Sequence, residues 1–593
     1  MGFGQTGPVV IRGARVLDGT GAAARVVDVV IRGGKIEAFG SDAVPPSARV
    51  IDATGQTLLP GMFDLHTHLS ASAATGIAGD WGKSLKAYLA CGVTTVNDYA
   101  TYGEMFAPMR QLLASGSAPG PRVNMAVRMS SPAGHGTEAG WGDAMTLIAA
   151  TPAQAHQQTQ LALSFHPDVI KVFTDGWRYG TAPNLMSMNL ETLAAIVEDA
   201  HAAHVKVFTH TVTLGGAKVA ARAGVDVLVH GIGDADVDEE LIGIMKAKGT
   251  VYVSTLAVYE FKGAAAPAER MLALLEPEVK ATVRRAAAEA PAAQKVRWQH
   301  LLGNVKKLYD AGIPVAVGTD AGMPGTFHGF ATLRELELMV QAGMTPAQAL
   351  TAATGVSAKA LGVEAERGTI AVGKAADLVL VQGKPDERIA DVYQTKRVFR
   401  GGAEFDPAAM EKAIQSSEMT ALPARQIAPV VDDIEAKGGR TQLGTLRLNA
   451  TDAGVDHSAM VFLPVIRSGE DHALLAAAQF AGKERPFVRV DFPLTPGAIE
   501  VADVSMFSGV MFDVRGEAGA RLMMQTYHVR SADVWSAPVA VTGEWQTVKI
   551  PYTALKRRAG GTWDGKDARA ILFELSGTAG GAAWMELDNV RFY

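Results

Sequence analysis

Cysteine is almost missing from this chain: Cys91 is the single one among 593 residues. One thiol excludes an intramolecular disulfide framework and every cysteine-rich zinc site. Any metal must then be held by imidazole, carboxylate or a less usual group. Within AYLACGVTTV, Cys91 itself reads as a small buried hydrophobe. A basic excess is missing too. The formal net charge is -6, and no Lys/Arg cluster stands out, which argues against nucleic-acid or anionic-membrane partners. No apolar run reaches the roughly 18 residues that a membrane span needs. The opening MGFGQTGPVVIRGARVLDG lacks the basic and apolar regions of a leader. The chain as written is expected in the cytoplasm, or in the periplasm or medium if a leader precedes it.

What is present suits a large soluble globular protein. Hydrophobic residues make up 48% and charged residues 20%, enough for extensive cores and without a disorder signature. The length implies several domains. Residues 8 to 54 read as short strands with Gly turns. From about 57 to 363, apolar runs (TVNDYA, RVNMAVRM, DVIKVFTDG, VKVFTH, VDVLVH, TVYVSTLA, IPVAVGTD) alternate with helical stretches. This pattern predicts parallel strands with crossover helices. Counting Gln56 to His66 first, eight strands fit a (β/α)8 TIM barrel over 57–363. Residues 364–415 return to strands and complete, with 1–56, a small composite β-sandwich. After a linker near Ala421 to Pro429, residues 430–593 read as an all-β, jelly-roll-like sandwich. The fold class is therefore α/β with flanking β domains.

In QTLLPGMFDLHTHLS, His66 and His68 stand two apart. On a strand such residues share a face, about 7 Å apart, and two imidazoles so held can close on one metal. Barrel chemistry sits at the carboxyl ends of the strands. Strand one ends in His66 and His68, the fourth in Lys171, the fifth in His210, the sixth in His230 and the eighth in Asp320. Six metal-compatible groups are thus expected on one face.

GMFDLHTHLS, DVIKVFTDG, VFTHTVT, VLVHG, VAVGTDAGMPG and GTIAVGKAADLVL resemble the amidohydrolase superfamily, in particular its prolidase-like and imidazolonepropionase-like metal-dependent hydrolases. The resemblance spans roughly residues 8 to 405. It implies two divalent ions, zinc first, with manganese, cobalt or iron as alternatives. His66, His68 and Asp320 would hold one ion and His210 and His230 the other, with Lys171, carboxylated by CO2, bridging them. Flanked by Val169, Ile170, Val172 and Phe173, the Lys171 amine is expected to be desolvated, which lowers its pKa and lets it take up CO2. The competing reading pairs Lys171 with an acidic neighbour such as Asp175. Asp64 is expected to steer the imidazoles.

The implied reaction is hydrolysis of a non-cyclic amide C–N bond, in N-acyl amino acids or dipeptides. A metal-bridging hydroxide attacks, and Asp320 shuttles the proton. SSPAGHGTEAG resembles the family segment whose His reaches the substrate, pointing to His135. Arg178 and Tyr179, in FTDGWRYGT, are candidates for a substrate carboxylate, with Arg128 and His328 as further candidates. His156, His166, His201, His204 and His300 read as non-ligands. Some relatives carry a Tyr two residues after the fifth-strand His, where this chain has Val212. The alternatives are a one-metal cyclic amidohydrolase, or an esterase, lactonase or phosphotriesterase on the same centre. FSGVMFDVRG, WQTVKIPYTAL and MELDNVRFY resemble a complex I intermediate-associated, galactose-binding-like domain, read as a structural or oligomerising appendage. The expected partner is a small-molecule substrate, with a homo-oligomer as the expected assembly.

Overall fold

Around the central barrel, eight parallel strands follow one another in chain order. They are β1 (Met62–Thr67), β2 (Val93–Asp98), β3 (Arg122–Ser130), β4 (Val169–Phe173), β5 (Lys206–His210), β6 (Val227–Val229), β7 (Val251–Val253) and β8 (Val315–Ala316). The computed structural model describes residues 7–41, 45–69, 80–138, 140, 142–176, 185–261, 268–283, 292–517 and 519–593. β1 and β8 close the ring: Leu65 N donates to Val317 O (2.8 Å), Asp320 N to His66 O (2.8 Å) and His68 N to Ala321 O (2.7 Å).

Period-two alternation fills both sides of the wall. Phe63, Leu65, Ala126, Val169, Phe208, Val227, Val229 and Val253 belong to one inner cluster. Their neighbours Met62, Val127, Ile170, Val172, Val207, Leu228 and Tyr252 pack with the surrounding helices instead. Lys171, between Ile170 and Val172, therefore points inward. Helices start where the sequence supplies caps: Thr213 accepts from Gly216 N to open Leu214–Ala223 directly after β5, and Asp238 accepts from Leu241 N to open Glu239–Lys248.

Two small sheets flank the barrel. One has the order Lys35–Phe39, Val29–Arg32, Val9–Arg12, Arg49–Asp52; the other runs Ala403–Phe405, Thr395–Arg400, Leu378–Gln382, Gln56–Pro60, Arg15–Val16, Arg25–Val26. The run from Gln56 to His66 is thus two strands rather than one. Gln56–Pro60 pairs antiparallel with Leu378–Gln382, and the chain turns into β1 at Gly61, whose N–H donates to Asp377 O at 2.7 Å. A methyl group at Gly61 would collide with Thr94.

The C-terminal unit is a sandwich of two sheets around a core that includes Phe492, Phe512 and Phe573. It begins earlier than the sequence suggests. The stretch read as a linker contributes the strand Ala424–Gln426, parallel to Val501–Asp503. Among the described residues no helix is long and apolar enough to cross a membrane.

Candidate metal centre

The wall alternation breaks in β1. Phe63 and Leu65 face inward, while Asp64 faces the helices, accepting from the Thr319 and Thr332 hydroxyls at 2.7 and 2.9 Å. A register irregularity against β2 lies between Asp64 and Thr67. After it His66 also turns inward, Thr67 outward toward the Tyr88 hydroxyl (2.6 Å), and His68 inward. A bulge of this kind re-aims side chains, here both imidazoles.

The inward groups meet at the mouth of the barrel. His66 Nε2 and His68 Nε2 lie 3.3 and 2.9 Å from Asp320 Oδ1, and donor atoms of the three residues all lie within 4.8 Å of one another. A row of imidazoles continues across the mouth. Ring centroids are 4.6 Å apart for His66 and His230, 4.5 Å for His230 and His210, and 4.4 Å for His210 and His135. Lys171, 1% exposed, sits with its amine 4.9 Å from the Tyr99 ring and 5.5 Å from the Phe173 ring.

Two of these residues sit in backbone conformations that favour glycine. His230 has φ 81° and Asp320 φ 62°, each a strain of about 1–3 kcal/mol that the surrounding structure must impose. His230 N donates to Val253 O (2.9 Å), and Asp320 N is fixed by the seam bond to His66 O. The His230 ring is further oriented by the Thr255 hydroxyl, 3.1 Å from Nδ1.

Burial sets the protonation states. It pushes His66 down to about 3 and His210 and His230 well below the usual imidazole range, so these rings are neutral, the form that binds metal. Burial would raise Asp320, but hydrogen bonds from His66 and His68 outweigh it and hold the carboxyl well below its ordinary value. Burial also brings Lys171 down to about 7. Among the described residues, His66 Nδ1, Lys171 Nζ and His210 Nε2 have no hydrogen-bond partner. Buried polar atoms rarely stay unpaired, and nitrogen and carboxylate donors around them are the chemistry a divalent cation satisfies.

A model of the amidohydrolase family matches residues 57–404. This chain belongs to the amidohydrolase family. Divalent metals are the family's usual cofactors, which suits the donor set. The chain is 27% identical over 446 residues to ochratoxinase of Aspergillus niger, covering 67% of this chain and 86% of the relative. It is 27% identical over 394 residues to imidazolonepropionase of Symbiobacterium thermophilum, covering 63% and 85%. Among solved structures, a Bifidobacterium longum protein described as a prolidase superposes with TM-score 0.55 at 26% identity, covering 69% of this chain and 98% of that one.

Around the amidohydrolase centre the remaining candidates separate. His135 is partly buried, packed against Phe173 (centroids 4.9 Å) and His210, and its Nδ1 lies 2.6 Å from Glu138 Oε1. Arg128 is paired in register with Lys171 and inward, its Nε donating to Met145 O at 3.0 Å. His328 Nε2 lies 3.1 Å from the His68 carbonyl, so it fixes the segment after β1. Arg178 and Tyr179 lie outside the described residues. Asp175 does not pair with Lys171. It turns to the start of the β5 loop, accepting from Val212 N, Thr213 N and the Thr211 and Thr213 hydroxyls. His156, His201 and His300 pair with Asp199, Asp226 and Asp236 away from the mouth. Sequence reasoning missed Tyr99, which stacks on His66 at 4.3 Å, and Glu138. Nothing in TVNDYA distinguishes Tyr99 from any core aromatic, whereas Glu138, three residues after His135, could have been noticed.

Proposed function

We propose that this amidohydrolase holds two divalent ions and cleaves a non-cyclic amide C–N bond beside a carboxylate, in an N-acyl amino acid or a dipeptide. The observation that carries the reading is Lys171, an inward amine without a hydrogen-bond partner among the described residues. It is electrostatically coupled to Asp320, His66, His210 and His230. A lone amine is a poor neighbour for cations, but its carbamate would be an anion with two oxygens, suited to a shared position. His66, His68 and Asp320 would then hold one ion, His210 and His230 the other, with carboxylated Lys171 common to both. Zinc is the first candidate for N/O ligands, ahead of manganese, cobalt or iron. Bound ions supply Lewis acidity and an acidified water.

The protein's own part follows from its residues. Asp320 takes the proton of the attacking water and delivers it to the leaving amine. Asp64, held by two hydroxyls, accepts from His66 N at 3.2 Å and so braces the bulged strand. His135, which lies beside His210, would meet the substrate's oxygen. The names of the relatives, a prolidase and an ochratoxinase beside an imidazolonepropionase, are compatible with several substrates, and the amide assignment is made on the resemblance of the centre.

One observation favours a second reading: His66, His68 and Asp320 already form a compact three-donor group, which a one-metal enzyme would use alone. Metal analysis of the purified protein separates the two, with two equivalents per chain expected. A panel of N-acyl amino acids, dipeptides, cyclic amides, lactones and phosphotriesters, followed by mass spectrometry, tests the substrate class. Turnover of esters or cyclic amides alone would refute the reading.

A further inference from the structure

The segment that carries His135 is fastened to the C-terminal sandwich. After β3 the chain turns at Gly134, and Ser130 Oγ donates to His135 O at 2.7 Å. It returns through Leu147–Ile148, parallel to Met129–Ser130. Between these points, the bonds from described residues that cross to the other domain meet one short stretch of it, residues 449–454. Gly454 N donates to Glu138 O (2.9 Å) and Thr451 N to Gly140 O (2.9 Å). Asp143 N donates to Asn449 Oδ1 (3.0 Å), and Asn449 Nδ2 to Asp143 Oδ2 (3.3 Å). The fit is close: a methyl on Gly142 would collide with the Asn449 carbonyl, and one on Gly140 would lie 2.6 and 2.7 Å from the Thr451 and Asp452 carbonyls. Leu448, like Ala144, Met145 and Leu147 of the loop, is partly buried against the barrel's core.

Among the described residues the donor strand, Leu448–Thr451, is the edge of its sheet, pairing only with Phe487–Pro493. An open edge is a liability, and here the barrel loop covers it. Its far end is tied down by hydrogen bonds. The Asp452 carboxylate accepts from Ser458 N (3.1 Å), Phe487 N (3.0 Å) and Lys483 Nζ (2.8 Å). On the barrel side, Glu138 grips His135, which lies against His210. One residue, Glu138, thus bonds through its carbonyl to the sandwich and through its carboxylate to the imidazole at the centre.

We propose that the C-terminal sandwich is a positioning element of the hydrolase: its edge strand Leu448–Thr451 and the following turn hold the β3 loop so that His135 stands in the catalytic mouth, with Asn449 as the positioning residue. The sandwich is then part of the active site's construction and not an independent appendage. The inference rests on the proposed hydrolytic centre for its catalytic consequence and on the hydrogen bonds alone for its structural one.

The test uses the full chain. Asn449→Asp sets a second carboxylate beside Asp143, and adding Asp143→Asn restores an amide–carboxylate pair with the roles exchanged. Amide hydrogen exchange is read for residues 131–149 against β4 and β5. The parameters kcat and KM are read on whichever panel compound the enzyme hydrolyses, so an ester-only result sinks the amide reading and leaves this test intact. In Asn449→Asp, loop exchange should rise by about fivefold or more with β4 and β5 unchanged, as expected of a locally released segment. At unaltered metal content, kcat/KM should fall about tenfold, chiefly in kcat, because the reacting groups are misplaced. The double variant should return both to within about twofold. Asn449→Ala, which adds no charge, should move both in the same direction by about threefold. Unchanged loop exchange in both single variants, or faster exchange with unchanged kcat/KM, overturns the proposal. So does failure of Asp143→Asn to rescue.

Discussion

Taking CO2 away from the metal-free protein should stop it from recovering a full complement of metal, and the pH at which recovery is fastest should report the Lys171 amine. A lysine with pKa 10.5 is neutral at pH 7 in about three molecules in ten thousand; one brought down to about 7 is neutral in about half. The difference corresponds to about 5 kcal/mol of penalty on the charged form, caused first by burial and opposed by Asp320. Only the neutral amine attacks CO2. At fixed CO2 pressure the neutral fraction, and with it the rate of metal uptake, should rise about tenfold between pH 6 and 8 and then level off. An ordinary lysine would instead give a further tenfold for each pH unit past 8. The assay removes metal with a chelator, adds zinc under controlled CO2, and follows bound metal by mass spectrometry and the carbamate by carbon-13 resonance. Lys171→Ala should hold at most one equivalent and lose about a thousandfold or more in kcat, with partial return in a short-chain carboxylic acid. Uptake indifferent to CO2, a rate still climbing past pH 8, or a two-equivalent, active Lys171→Ala protein would refute the bridging role.

Other perturbations read other parts of the structure. Asp320→Asn should reduce kcat by about 10²–10⁴ while most of the metal stays bound, since the amide keeps an oxygen ligand but cannot carry the proton; near-full activity would remove Asp320 as shuttle. Arg447→Ala strands Asp432, whose carboxylate is 0% exposed and receives Arg447 Nη2 at 2.9 Å, and should destabilise the sandwich by about 3–5 kcal/mol in denaturant unfolding. Gly61→Ala drives a methyl into Thr94 at the junction of the flanking sheet and the barrel and should lower stability by about 1–3 kcal/mol. Glu335 is raised by burial from 4.5 to about 7. A raised folded pKa gives stability that is complete below about 4.5 and lost as pH rises through about 7, so Glu335 by itself should subtract about 3 kcal/mol from the metal-free protein over that interval, read as the difference in pH slope between the wild type and Glu335→Gln.

How much of this was legible beforehand depends on whether a feature has a period. The strand ends that carry His66, His68, Lys171, His210, His230 and Asp320 follow from apolar runs alternating with helices, because barrel geometry sends every run to the same face. Local breaks in the period left no trace. Gly61 divides one continuous apolar run between two sheets, since only the Asp377 and Thr94 neighbours, distant in sequence, decide where the strand stops. The bulge that turns His66 inward is equally silent: FDLHTH satisfies strict alternation as written, with His66 on the same side as Asp64. The left-handed backbone at His230 and Asp320 is uncommon for any residue other than glycine, and nothing in the local sequence announces it. Contacts between domains were the least legible. Asn449 and Asp143, 306 residues apart, meet only because an edge strand and a barrel loop complete each other.

These silent features concentrate where the barrel closes. The seam between β1 and β8 is made by His66 O receiving Asp320 N, by His68 N giving to Ala321 O, and by the pairing of Thr67 with Ala321. The residues that zip the barrel are thus those that present the three-donor group. The bulge, the φ of 62° at Asp320 and the Asp64 link between His66 and the hydroxyls of Thr319 and Thr332 are all needed for both tasks at once. Strain at this place is therefore not a separate cost of catalysis laid over a finished fold. A cation bound by His66, His68 and Asp320 would favour the closed seam over any opened state that scatters its donors, by the linkage that makes every ligand of the native state a stabiliser. The same coupling means that a seam substitution at a residue that supplies no ligand atom, such as Thr319, acts on metal affinity through the backbone that the two strands share.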